Sequence, residues 1–265
     1  NVSETFGHGL SSAPELIIIK NIDVGSNWFV YPKGIGNFLL RLNTTGGEDT
    51  TANFQLGTVN DSIITLPSLS SDGWSQPYDF ITYCFHSVDG IQKVGSYTGT
   101  GSSNNIIETG FEPAFLMIKK TSGTSRWRIV DNKRDALNPR SKNLFAEDSI
   151  AETGRPTHTT QDFNFLSNGF EIPAGMDGEL NGNNDTFIYL AIAADPDTTT
   201  PTVEDSFEVV TYTGTGSTQS IDTGFKPDLV WIKDRTSANS HILQDSIRGA
   251  NKALLSNATS AEITR

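Results

Sequence analysis

Apolar residues fall along this chain in short clusters, not at helical spacing. Leu16-Ile17-Ile18-Ile19-Lys20, Phe115-Leu116-Met117-Ile118-Lys119 and Leu229-Val230-Trp231-Ile232-Lys233 are apolar runs closed by lysine. Segments 79–86 and 207–212 are short, β-branched and aromatic, and turn residues bound them. Runs of this length between Gly, Pro, Asn and Asp predict strands. The one helix-like stretch, 147–152, is too short to matter. Gly-Phe-x-Pro precedes the second and third runs. There glycine supplies conformational freedom, the phenylalanine plugs the core, and proline stops further pairing. The closing lysine is expected to mark the exit to solvent. Asp89-Gly90, between Tyr83-Cys84-Phe85-His86 and 93–97, predicts a tight hairpin, because both residues tolerate positive φ.

The clusters recur. Tyr97-Thr98-Gly99-Thr100-Gly101-Ser102 returns as Tyr212-Thr213-Gly214-Thr215-Gly216-Ser217, 115 residues on. Gly110-Phe111-Glu112-Pro113 returns as Gly224-Phe225-Lys226-Pro227, and the apolar run after it keeps the same offset of 114. Upstream, Pro14 and its run stand 99 residues before Pro113, and Trp28 stands 99 before Trp127. His241 fills the tryptophan position of the third copy, and Asp131 matches Asp245. Repeats at fixed offsets predict tandem units: copy one over 1–93, a complete copy two over 94–195, an acidic Thr/Pro linker over 196–206, and copy three over 207–265. The expected fold is all-β, built of antiparallel sandwich or jelly-roll-like units. Copies one and two are expected to form a rigid pair with copy three beyond the linker. Copy one lacks the Tyr-Thr-Gly opening, and copy three lacks any equivalent of 163–165 and 186–190. An incomplete copy would expose its apolar face, so copy three is expected to continue in a longer polypeptide or to be completed by another chain. The opening at Asn1 fits a fragment or a processed product.

Composition narrows the chemistry. With 31 acidic against 19 basic residues the formal charge is −12, which opposes binding along a phosphate backbone. Apolar residues are 35 % of the chain, enough for real but thin cores. A single cysteine, Cys84, leaves no intrachain disulfide and argues against structural zinc. No apolar run approaches the roughly 20 residues of a membrane span.

Each candidate site has a plainer reading. Gly99-x-Gly101 and Gly214-x-Gly216 lack the third glycine and the following helix of a phosphate loop, and fit a strand-end turn. Asp177-Gly178-Glu179-Leu180-Asn181-Gly182 resembles half a calcium loop, but Ile188 stands where the bidentate glutamate belongs. A polar hairpin loop is the better reading, with a weak Ca²⁺ site as the alternative. His8, His86, His158 and His241 are not at ligand spacing. Asp131 and Asp245 fit a turn or hydrogen-bond role better than catalysis. Asn43, Asn184 and Asn257 open glycosylation triplets that matter only on a eukaryotic secretory route.

The order Tyr-Thr-Gly-x-Gly-Ser (212–217), Gly-Phe-Lys-Pro-Asp-Leu-Val-Trp-Ile-Lys (224–233), Asp-Ser-Ile-Arg-Gly (245–249) and Lys-Ala-Leu-x-Ser-Asn (252–257) resembles the tandem β-domains of tailed-phage virion proteins. Segments 83–90 and 165–170 are similar to other parts of that family. The resemblance spans roughly residues 8 to 265 and implies a structural, host-facing component of a tail fibre or appendage, located on the virion. It supplies no catalytic residues, and no cofactor is called for. Partners implied are other copies of the chain, with a homotrimer by analogy to fibres, other virion proteins and a host-surface glycan. A carbohydrate-binding module of a bacterial secreted or surface protein is the alternative, with Trp74 and Tyr78 as exposed aromatics. A depolymerase acting on host polysaccharide ranks below both. Pro14, Trp28, Gly110, Pro113, Trp127, Asp131, Gly224, Pro227 and Asp245 are read as the structural repeat motif.

Overall fold

The computed structural model describes residues 4–34, 38–50, 56–66, 78–154, 163–174, 178–193 and 207–265. Trp74, Asp177, His158 and the 196–206 linker lie outside them. Among the described residues there are strands and no helix. The first segment holds β1 (Thr5–Gly7), β2 (Leu16–Asn21), β3 (Trp28–Pro32), β4 (Leu40–Arg41), β5 (Ile63–Thr65) and β6 (Phe80–Phe85). The second holds β7 (Gln92–Thr98), β8 (Asn105–Glu108), β9 (Pro113–Lys120), β10 (Arg128–Asp131), β11 (Lys142–Phe145), β12 (Thr153–Gly154), β13 (Asn164–Leu166), β14 (Gly169–Ile172) and β15 (Thr186–Ala193). The third holds β16 (Leu229–Ile232), β17 (Ile242–Asp245), β18 (Lys252–Ala253) and β19 (Ile263–Thr264).

All pairing is antiparallel, so the protein is all-β. The sheet β4-β3-β2-β6 faces the β1-β5 pair, and β12-β11-β10-β9-β15-β7 faces β13-β14-β8. This two-layer packing explains the unbroken apolar run of β2. Ile17 and Ile19 enter a local core with Ile64 and Leu66. Leu16 and Ile18 point the other way, into a larger core shared by the whole molecule. A strand covered on both faces loses the polar alternation of a half-exposed one.

The hairpins β2-β3, β9-β10 and β16-β17 have one register. Leu16↔Pro32, Phe115↔Asp131 and Leu229↔Asp245 are corresponding pairs, as are Ile18↔Val30, Met117↔Ile129 and Trp231↔Leu243. The offsets are the 99 and 114 residues seen in the sequence. Side chains of the latter three pairs meet in the shared core.

Main-chain hydrogen bonds join the segments in a closed cycle. Glu48 donates its N–H to Thr121 O at 2.8 Å, Glu152 to Arg235 O at 2.8 Å, and Glu262 to Ile22 O at 2.9 Å. The first segment thus grips the second, the second the third, and the third the first. The third segment therefore does not hang beyond a linker from a rigid pair; it is seated against both others.

Three further expectations change. Asp89-Gly90 forms a turn, with Gly90 at φ +74° and Ile91 N–H donating to Val88 O at 3.0 Å. However, β6 and β7 leave it for different sheets, β6 onto β2 and β7 onto β15. Core packing on either side outweighs the local turn signal. Segment 207–212 is not a strand, since it has no neighbour to pair with among the described residues. The closing lysines do not mark an exit to solvent: Lys20 and Lys119 are wholly buried.

Candidate interaction surface

Two of the segment junctions are built alike from the closing lysine, the residue opposite it, and a loop of the neighbouring segment. Lys233 at the third is half-buried and donates only within its own segment, to Asp234 O at 2.6 Å and Ser237 O at 3.2 Å. Lys20 Nζ donates to Asn21 O at 2.9 Å and Thr259 O at 3.2 Å; Lys119 Nζ donates to Thr45 O at 2.8 Å and Ser125 O at 2.6 Å. Burial holds both ammonium groups down to about 8. Indole Nε1 of Trp28 donates to Leu255 O at 3.0 Å and Ala258 O at 3.2 Å, and that of Trp127 to Arg41 O at 2.8 Å. At the third junction Trp231 Nε1 donates to His241 Nδ1 at 2.8 Å. That bond places the proton of the neutral imidazole on Nε2, which is buried and has no hydrogen-bond partner, with the main chain of Phe145 and Asp148 beside it. His241 thereby offers an N–H where the other junctions use indole.

Behind each of these residues one side chain accepts its main-chain N–H. Asn43 serves Trp28 at 2.8 Å, Glu147 serves Trp127 at 3.0 Å, and Asn257 serves His241 at 3.0 Å. Two of the three glycosylation triplets thus point their asparagine inward, into the junctions.

Glu147 and His241 make stability depend on pH with opposite sign. Burial pushes the Glu147 carboxyl from 4.5 up to about 7, against the lowering effect of the Trp127 N–H and Arg126. Burial, with Lys233 adding to it, pushes His241 from 6.5 down to about 4. From pH 4.5 to 7 the folded state binds the Glu147 proton more tightly than the unfolded chain, so that group lowers stability as pH rises. From pH 4 to 6.5 the unfolded chain binds the His241 proton more tightly, so that group raises stability as pH rises. Each is worth about 3 kcal/mol over its full range, and the two oppose each other across the overlap. Against the parent, Glu147→Gln is expected to gain stability progressively from pH 5 to 7.5. His241→Trp is expected to gain it progressively from pH 6.5 to 4. Denaturant midpoints measured across pH check this; parallel profiles for parent and variants would contradict both assignments.

The aspartates anchor buried ion networks. Asp131 Oδ1 accepts from the N–H groups of Lys133 and Arg134, at 3.1 and 2.8 Å, while Arg134 Nε donates to Oδ2. Arg134 also meets Glu152 at 3.1 Å, which pairs with Arg235 of the third segment at 2.9 Å. Likewise Asp245 binds Arg248 at 2.6 Å, and Arg248 meets Glu262 at 3.3 Å. Tyr83 OH reaches across from the first segment to Asp245 Oδ2 at 2.8 Å. The arginines and glutamates escaped the sequence reading, although Asp-x-x-Arg stands at both positions and was the signal available.

Above the Tyr83–Asp245 bond lies a groove of about 290 Å³, lined on one side by Ile81 and Tyr83 and on the other by Leu229, Asp245 and Ile247. Ile247 is 83 % exposed at its rim. Thr82, Asp228 and Ser246 complete its lining, so half of its lining residues are polar. Among the described residues no cluster of three His, Cys, Asp or Glu side chains could hold a metal ion. In the loop after 177, Asn181 is buried and bonds Thr100 and Ser103, and Asp185 is held by Lys120 at 2.7 Å and by Ser122.

The remaining motif residues shape the backbone. Pro14 is buried ahead of β2, and Pro113 opens β9. Gly110 and Gly224 stand at φ +93° and +73°, and Pro227 is half-buried. Tyr78 is half-buried at the edge of the described residues, and Trp74 lies outside them.

These features define an all-β protein of three interlocked hairpin segments, its conspicuous residues serving segment junctions. The chain belongs to the family described as "Domain of unknown function (DUF7483)", whose model matches residues 1–196 and 202–265. Comparison with the curated proteins and with the solved structures finds no match.

Proposed function

We propose that this chain is a structural module of a virion appendage, a tail-fibre-like segment on the particle surface that serves attachment to a host. In this reading three versions of one hairpin-based unit are interlocked to bear load, and neither a cofactor nor a reaction is involved. The observation that carries it is the cycle of equivalent main-chain bonds from Glu48, Glu152 and Glu262. Such a cycle spreads tension over three junctions without any disulfide. The buried ion networks add directional contacts at the same places. Its partners would be further copies of itself in a homotrimer, other virion proteins and a host-surface glycan, where many weak contacts on one particle raise avidity.

Antibodies raised against residues 1–265 test the reading by electron microscopy. Label along the appendages of purified particles, and slower adsorption of those particles in the presence of free protein, are the expected results. Label confined to bacterial cells or their secretions would overturn it.

A further inference from the structure

The third segment carries one side of a contact that the second segment shows complete. In the second, Tyr97 is buried and donates its OH to Leu180 O at 2.8 Å. Gly99 N–H donates to Asp185 O at 2.8 Å, Asn184 N–H donates to Gly99 O at 3.0 Å, and Gly101 N–H donates to Asn181 O at 2.8 Å. The approach is so close that a Cβ on Gly99 would lie 2.1 Å from Gly182 O. Strand β15 then continues along β9, with Ile188 opposite Lys119 and Ile192 opposite Phe115.

The third segment repeats the sequence of the first half. Yet Tyr212 is 49 % exposed, and nothing lies within 4 Å of a Cβ built on Gly214 or Gly216. Strand β16 pairs with β17 on one edge only among the described residues. All four of its residues are half-buried, whereas every residue of β2 is buried.

The chain shows twice what fits such an edge. On β2, Phe80 lies opposite Asn21, Ile81 opposite Lys20 and Phe85 opposite Leu16. On β9, Phe187 lies opposite Lys120 and Ile188 opposite Lys119. Both strands carry Phe-Ile at or next to their start and are mostly apolar after it. We infer that the face formed by 210–217 and β16 binds a partner polypeptide segment with the chemistry of residues 180–193, laid antiparallel to β16. A turn presents main-chain carbonyls to Tyr212 and Gly216, and a strand led by Phe-Ile follows, with its Ile opposite Lys233. Main-chain bonds along an open edge supply affinity, and alternate side chains supply specificity. A second copy of this chain is not the occupant, because the two strands of that pattern are already bonded, β6 to β2 and β15 to β9 and β7. The inference does not depend on the virion reading.

A synthetic peptide with the sequence of residues 178–193, added to the 1–265 protein, tests it. The expected result is one-to-one binding, with amide exchange at 210–216 and 229–233 slowed by about tenfold or more. Gly214→Val is expected to leave the free protein's unfolding midpoint unchanged, since space around that Cβ is open, but to abolish peptide binding. A peptide carrying Phe187→Asp should bind far more weakly. A second form carries the peptide after Arg265 on a Gly/Ser linker, which raises its effective concentration to the millimolar range. Unchanged exchange in that form would overturn the inference, and so would equal binding by Gly214→Val. Self-association of the 1–265 protein that protects these same residues without peptide would also overturn it, by making a second copy the occupant.

Discussion

Replacing Trp28 by alanine is expected to destabilise the protein by about 3–5 kcal/mol, the range for truncating a fully buried tryptophan. Trp28 is wholly buried, and its indole N–H serves two carbonyls, of Leu255 and Ala258, 227 and 230 residues away in the chain. For a chain of this size that corresponds to roughly a 10 °C fall in the unfolding midpoint. The pattern of loosening is the sharper test. Amide exchange should accelerate in β18 and β19 as well as in β3, because the third segment closes against the first through this residue. Trp28→Phe should recover most of the packing but leave the two carbonyls without their donor, at a cost of about 1–2 kcal/mol. Exchange at 252–264 indifferent to either substitution would mean that the third segment folds independently.

Arg248→Met is expected to cost a comparable 3–5 kcal/mol, since it strips a buried carboxylate of its counter-charge. Arg248 and Asp245 are each 4 % exposed in the side chain, and Arg248 also holds Glu262 and donates to Leu243 O at 3.2 Å. In the parent, Asp245 stays below the ordinary carboxylate range: hydrogen bonds from Arg248 and Tyr83 outweigh the burial that would raise it. It therefore contributes stability above its unfolded value and loses it as pH falls. Without the guanidinium the sign reverses, because burial then favours the protonated acid. The variant should regain part of its stability between pH 7 and 5, where the parent does not, and adding Asp245→Asn should recover part of it at pH 7. Denaturant titrations at both pH values read the difference. An Arg248→Met loss below about 1 kcal/mol at pH 7 would assign the pair to the surface class of ion pairs.

Much of the fold was legible because it is written in local chemistry. The apolar runs ending in Lys20, Lys119 and Lys233, the turn glycines and the offsets of 99 and 114 mark the strands and the shared hairpin register before any coordinates. The lysines were misread for a physical reason. A charged residue at the end of a run normally meets water. Lys20 and Lys119 are tolerable when buried because each ammonium meets one main-chain carbonyl of its own segment and one of a neighbouring segment. Asp89-Gly90 was a sound turn signal, but a turn does not say which sheet each arm joins. Segment 207–212 has strand composition and no strand, because a ladder needs two partners and composition describes one.

Sequence alone determined the β class, the recurrence of the lysine-closed apolar run and the matching positions of Trp28, Trp127 and His241, since all three depend on residue type and spacing along the chain. Tertiary structure alone decided that the three segments close into a cycle, that Glu147 lies half-buried and His241 buried at its junctions, and that β16 has one unpaired edge among the described residues. Those features rest on contacts between different segments, whose closing bonds join residues 73 to 240 positions apart, and the chemistry of one segment does not specify what the next one places beside it.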